Sequence, residues 1–139
     1  MSNSRKFREK RYPKAIVCGM LEDNGRIFFL KQIGSDNIER FEVPHVLIYS
    51  GDPVSQLNEE FKKQTGIDSQ VEDIILETKV NAGSRKKKFL VPCLVFRILA
   101  KNKTANLDAK FSGFKWLSLE DAKKQRLHKN SLWILSATN

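Results

Sequence analysis

At 139 residues, with 40% hydrophobic and 29% charged side chains, the chain has the size and composition of one folded domain. No apolar run approaches the ~20 residues that a membrane-spanning helix needs, so no membrane partner is expected. The formal net charge of +9 attracts polyanions and disfavours a cationic partner.

The first twelve residues, MSNSRKFREKRY, are basic and lead into no signal-peptide apolar stretch. They are read as a solvated basic arm, residues 1–12, ahead of a single domain over 13–139. An organelle-targeting leader is the alternative. Ala15–Leu21 is an apolar, β-type run, and Asp23-Asn24-Gly25 predicts a hairpin into a return strand at Arg26–Gln32. Gly34–Asn37 reads as a loop and Arg40–Val43 as a short strand stopped by Pro44. Asp52 and Pro53 are the residue types of a helix N-cap and first helical position. Val54, Leu57 and Phe61 then fall on one helical face, and Gly66 suits a left-handed helix end. Val71–Val80 predicts a strand and Asn81–Ser84 a turn. Phe89–Leu99 is the most apolar strand, in which Pro92 predicts an edge or a bulge. Gly113–Leu117 is a further short strand. Ser118 with Asp121 predicts a capped helix, and Leu132–Leu135 a last helical segment. This order predicts an α+β fold, a mixed β-sheet sandwiched between α-helices.

Cys18 and Cys93 lie inside the apolar runs AIVCGM and LVPCLVF. Two isolated thiols fit no zinc spacing and read as small core residues of a reducing compartment, the cytoplasm first and an organelle second. The acids are unevenly placed, with twelve of sixteen between Glu22 and Glu77. The bases cluster elsewhere: in the arm, in Arg85-Lys86-Lys87-Lys88, and in Lys123, Lys124, Arg126 and Lys129. A basic hairpin loop beside an open sheet suits nucleic-acid backbone, and Phe89 and Tyr49 nearby could stack on a base. A charged tip that serves only solubility is the plainer reading.

The stretch Pro44–Ile67, PHVLIYSGDPVSQLNEEFKKQTGI, resembles the Nudix box, Gly-x5-Glu-x7-Arg-Glu-U-x-Glu-Glu-x-Gly-U, where U is apolar. Glu60 matches the first helix glutamate, Phe61 the apolar position, and Gly66–Ile67 the closing pair. His45 stands at the first glycine, Gly51 at the loop glutamate, Glu59 at the arginine, and Lys63–Gln64 at the glutamate pair. Phe41-Glu42-Val43-Pro44 resembles the family's lead-in. Phe114-Lys115-Trp116-Leu117-Ser118-Leu119-Glu120-Asp121 resembles its closing strand and helix. The resemblance therefore covers roughly Lys14 to Leu135 and implies the MutT-like fold.

The resemblance implies metal-assisted cleavage of nucleoside diphosphate derivatives, with carboxylates at i, i+3 and i+4 sharing one helical face. Here those positions are Glu60, Lys63 and Gln64, a set with one carboxylate and one cation. Lysine can hold a phosphate as a point charge but cannot activate water as a metal does. Glu59 and Glu60 point ~100° apart and are expected to pair with Lys63 and Gln64 instead. Val46 disfavours the glycine-type loop, so Val46–Tyr49 is expected to extend a strand. His45 is a minor candidate for general base.

The expected function is a degenerate Nudix domain that binds nucleotide or RNA phosphates, or a protein partner, with hydrolysis weakened or lost. Lys63, Arg85, Lys86, Lys87 and Lys88 are the phosphate-binding candidates, and no cofactor is expected. One alternative is an active hydrolase using magnesium or manganese, with Glu42, Asp52 and Glu60 as relocated ligands. Another is a basic structural subunit of a ribonucleoprotein assembly. The resemblance also leaves a homodimer open.

Overall fold

The computed structural model describes residues 12–138, so the predicted basic arm lies, apart from Tyr12, outside the described residues. The organising element is β1 (Ala15–Asp23), whose side chains alternate between two cores. Ile16 and Cys18 join one core and Val17 and Leu21 the other. Such alternation requires both sheet faces to be covered.

β1 also forks. Its first half pairs antiparallel with β4 (His45–Ile48), in the register Ala15↔Ile48 to Cys18↔His45. Its far end pairs with β2 (Arg26–Ile33) through Glu22↔Ile27 and Asp23↔Arg26. At the branch, the Gly19 N–H donates to the Pro44 carbonyl at 2.9 Å. Along its other edge β1 runs parallel to β6 (Leu90–Ala100), which pairs antiparallel with β5 (Ser69–Asn81). β3 (Glu39–Glu42) and β7 (Gly113–Leu117) both pair with β2, completing a seven-stranded mixed sheet.

Helix α1 (Pro53–Thr65) covers one face through Leu57 and Phe61, which are buried with Val17, Phe28, Leu30 and Ile98. Burial of each such side chain contributes about 2–3 kcal/mol. A 3-10 helix over Lys129–Ser136 covers the opposite face with Trp133 and Ile134, beside the short α2 (Leu119–Ala122). The α+β reading, with helical layers on both faces, thus describes the molecule.

Local chemistry sets the ends of α1. Asp52 Oδ2 accepts from the Ser55 N–H at 3.0 Å, and Pro53 opens the helix. Gly66 closes it at φ +72°, donating to the Lys62 carbonyl. A loop over residues 101–112 then folds under this end. The Asn106 and Asp108 N–H groups donate to the carbonyls of Thr65 and Gln64 at 2.8 and 3.0 Å.

Three expectations need correction. Pro92 does not lie in an edge strand, because β6 sits between β1 and β5. Pro92 is tolerated because the pairing with β1 begins one residue later, at Ile16↔Cys93, so its missing N–H breaks no ladder bond there. The bulges of this strand pair lie instead between Val71 and Leu76 of β5. The last helical segment, expected over Leu132–Leu135, is a 3-10 helix that begins earlier, at Lys129. Glu59 makes no ion pair with Lys63 among the described residues, whereas Glu60 does pair with Gln64.

Candidate functional site

The chain passes from β3 to β4 through Val43-Pro44, and this crossing places Glu42 and His45 between the sheet, α1 and the 3-10 helix. The crossing is pinned from both sides. The Val43 N–H donates to Ser131 Oγ at 3.0 Å, and Gln64 Nε2 donates to the His45 carbonyl at 3.0 Å.

His45 is held as one neutral tautomer. Its Nδ1 lies 3.0 Å from the Val43 carbonyl, which can only accept, so Nδ1 carries the proton. Nε2 is then an acceptor and takes an N–H from Asn130 Nδ2 at 3.1 Å. Burial lowers the His45 pKa, so the neutral form is favoured. This bond fixes the amide orientation and leaves Asn130 Oδ1 as an acceptor. Asn130 is 5% exposed, and its Oδ1 has no hydrogen-bond partner among the described residues. Glu42 Oε2 lies 3.4 Å from His45 Nδ1, but a neutral imidazole makes this a contact and not an ion pair. Burial raises the Glu42 carboxyl to about 7, against the opposing charge of Lys110. Glu42 Oε1 is also buried, with no hydrogen-bond partner among the described residues.

On α1, Gln64 Nε2 also donates to Glu60 Oε2 at 2.9 Å. Glu60 is half-buried, and its charge acts on His45, as does that of Lys110. The loop under the end of α1 delivers Lys110 to this side of the molecule, and no sequence motif marked it. Lys63 is exposed and makes no ion pair among the described residues. Asp52 does not join Glu42 and Glu60. It is spent on the N-cap, eight residues or ~12 Å along the helix from Glu60. Among the described residues, no group of three or more His, Cys, Asp or Glu side chains could hold a metal ion.

Three cavities open beside this network. The smallest, about 190 Å³, is lined by Tyr12, Ile16, Tyr49, Ala82, Lys129 and Asn130, among others. Phe89 stacks on Tyr12 with ring centroids 4.3 Å apart, which puts both predicted aromatics at or next to this slot. The largest, about 890 Å³, runs between β5 and the 3-10 helix and includes Arg85. Lys86, Lys87 and Lys88 are exposed on the hairpin tip and do not line it. Cys18 and Cys93 are buried with their sulfurs 3.9 Å apart. Hydrogen bonding between them and burial push the Cys18 thiol up.

No protein-family model matches the chain, and no curated protein matches it in sequence. Solved structures match it in shape. The solution structure of the E. coli ORF135 protein is 14% identical, with a TM-score of 0.72 over 88% of this chain and 86% of that one. The MutT protein from Methanosarcina mazei Go1 is 21% identical, with a TM-score of 0.65 over 87% and 86%. The Nudix domain of Shewanella oneidensis NrtR, complexed with ADP ribose, is 11% identical, with a TM-score of 0.65 over 98% and 95%. The fold is that of the Nudix superfamily. No helix of the described residues is long and apolar enough to cross a membrane.

Proposed function

We propose that this Nudix fold binds a nucleotide, with metal-dependent hydrolysis weakened or lost. The observation that carries binding is Asn130, a residue of the lining of an aromatic-walled slot of about 190 Å³, whose Oδ1 is buried with no hydrogen-bond partner among the described residues. A buried acceptor without a donor costs about 1–3 kcal/mol, which a ligand N–H recovers. The slot suits one planar heterocycle, with Tyr12 and Tyr49 in its walls and Lys129 at its rim for a phosphate. Lys110 and the exposed Lys63 add positive charge near Glu60. Structural neighbours support the ligand class, since one holds ADP ribose and another is described as a UDP-X diphosphatase.

The donor set does not suit the divalent ion that the fold family implies. Magnesium asks for several oxygen ligands, largely carboxylate and water. Here Glu60 receives an amide N–H from Gln64, Glu42 holds its proton up to about 7, Asp52 caps a helix, and Lys110 supplies a competing cation. These side chains therefore do not make a magnesium site of the octahedral kind.

Calorimetric titration with a panel of nucleoside diphosphates, in EDTA and then in excess magnesium, tests this. Binding that is equal in both, and at least tenfold weaker in a folded Asn130→Ala variant, is the expected result. Magnesium-dependent turnover that Glu60→Gln abolishes would overturn it.

A further inference from the structure

Lys129 lines three cavities, of about 190, 390 and 890 Å³. The slot and the larger cavity therefore lie side by side, with Lys129 between them. Beyond Lys129 the larger cavity runs along β5 from Leu76 to Asn81, ~17 Å at strand spacing, with Trp133 of the 3-10 helix on its opposite wall. Its cations are Arg40, Lys79, Arg85 and Lys129, against one acid, Glu77. Asp36 neutralises Arg40 through two bonds of 3.2 and 2.8 Å. Lys79, Arg85 and Lys129 make no ion pair among the described residues.

His128, at the rim of the 390 Å³ cavity, is held down to about 4 by burial, then by His45, Lys129 and Arg40. The hairpin backbone that carries Arg85 is held by side-chain bonds. Asn81 Oδ1 accepts from the N–H groups of Gly83 and Phe89, both at 2.9 Å, and its Nδ2 donates to the Ser84 carbonyl. Ser84 Oγ accepts from the Lys87 N–H. These bonds shape the hairpin so that Arg85 borders the larger cavity while Lys86–Lys88 lie outside its lining.

A single nucleotide in the slot leaves the larger cavity, with Lys79 and Arg85, unused. We infer that the ligand is a single-stranded oligonucleotide, with one base in the Tyr12–Asn130 slot and its backbone crossing Lys129 toward Lys79 and Arg85. Aromatic walls at one end and unpaired cations along the rest are the two parts such a strand needs. The inference rests on the proposed nucleotide binding at the slot.

The test compares an eight-nucleotide RNA of random sequence with a mixture of the four nucleoside monophosphates, by fluorescence titration at several salt concentrations. Three phosphate contacts predict a log–log salt slope of about −2 for the RNA. The RNA is expected to bind at least tenfold more tightly than the monophosphates. Lys79→Ala/Arg85→Ala is expected to remove that advantage, lower the slope by about 1.4, and leave monophosphate binding intact. Lys86→Ala/Lys87→Ala/Lys88→Ala is expected to change the slope by much less. Monophosphate binding with no added affinity for RNA overturns the inference and spares the nucleotide reading. A tip variant that matters as much as the β5 variant also overturns it. Failure of both ligands to bind overturns the two together.

Discussion

Glu42 is under two opposed influences, burial in the fold and the charge of Lys110, and burial prevails. Its folded value, about 7, lies above the ordinary 4.5, so the folded protein holds this proton more tightly than the unfolded chain. Its stabilising contribution is complete below pH ~4.5 and is lost as pH rises through about 7, a span on the order of 3 kcal/mol. His128 works in the other direction. Its folded value, about 4, lies below 6.5, so its contribution is present above pH ~6.5 and lost as pH falls through about 4. Glu42→Gln is therefore expected to flatten the decline in stability between pH ~5 and ~8, while the rise from ~4 to ~6.5 remains. Urea unfolding across pH checks this, and an unchanged decline would refute the buried-carboxyl account. Gln64→Glu should lower stability by about 1–3 kcal/mol. It removes donors to Glu60 and the His45 carbonyl and buries a charge beside Glu60. A urea midpoint unaltered by this change would mean the amide is dispensable. Site residues of this kind were poorly legible in the sequence. Glu60 and Gln64 sit in a recognisable helix frame, but Asn130 reaches His45 across 85 positions and no local pattern marks that distance. Lys110 and Lys79 stood in the sequence as ordinary surface lysines.

At the scale of elements, legibility was high wherever the signal is local. Asp52-Pro53 and Gly66 mark the ends of α1 because capping and left-handed turns are chemistry of one or two residues. Asp52→Ala should cost about 1 kcal/mol in chemical denaturation. Gly66→Ala should cost more than Asp52→Ala. A Cβ at φ +72° is strained and would also meet the Asn106 carbonyl at 2.5 Å and its backbone nitrogen at 2.8 Å. If the two variants unfold at the same urea concentration, the packing of residues 101–112 against the helix end is looser than these distances imply. Pro92 was misread because its local rule concerns missing N–H groups, and whether one is missed depends on where a neighbouring strand begins. That starting point is a property of the sheet register, set by residues 75 or more positions away.

Across the whole molecule, two cores lie on opposite faces of shared strands, one under α1 and one under the 3-10 helix. Because β1 contributes alternate residues to both, neither core can open alone without exposing the other. Leu57→Ala and Ile134→Ala, one in each core, should each cost about 2–5 kcal/mol. Both should shift a single transition, seen together by circular dichroism and tryptophan fluorescence. Two separable transitions in either variant would show that the faces unfold independently. The alternation that predicts such a sheet was visible in the sequence, but its fork at Gly19 was not, since forking follows from how β2 and β4 divide one strand. The β5–β6 hairpin separates its tasks more cleanly. Asn81, Gly83 and Ser84 hold its shape through their own backbone and side-chain bonds, and the four basic side chains between Ser84 and Phe89 take no part in those bonds. The frame is thus free of the charge it displays. Over evolutionary time the tip can gain, lose or reverse charge without passing through unfolded intermediates, so its composition can drift with the demands of whatever it meets.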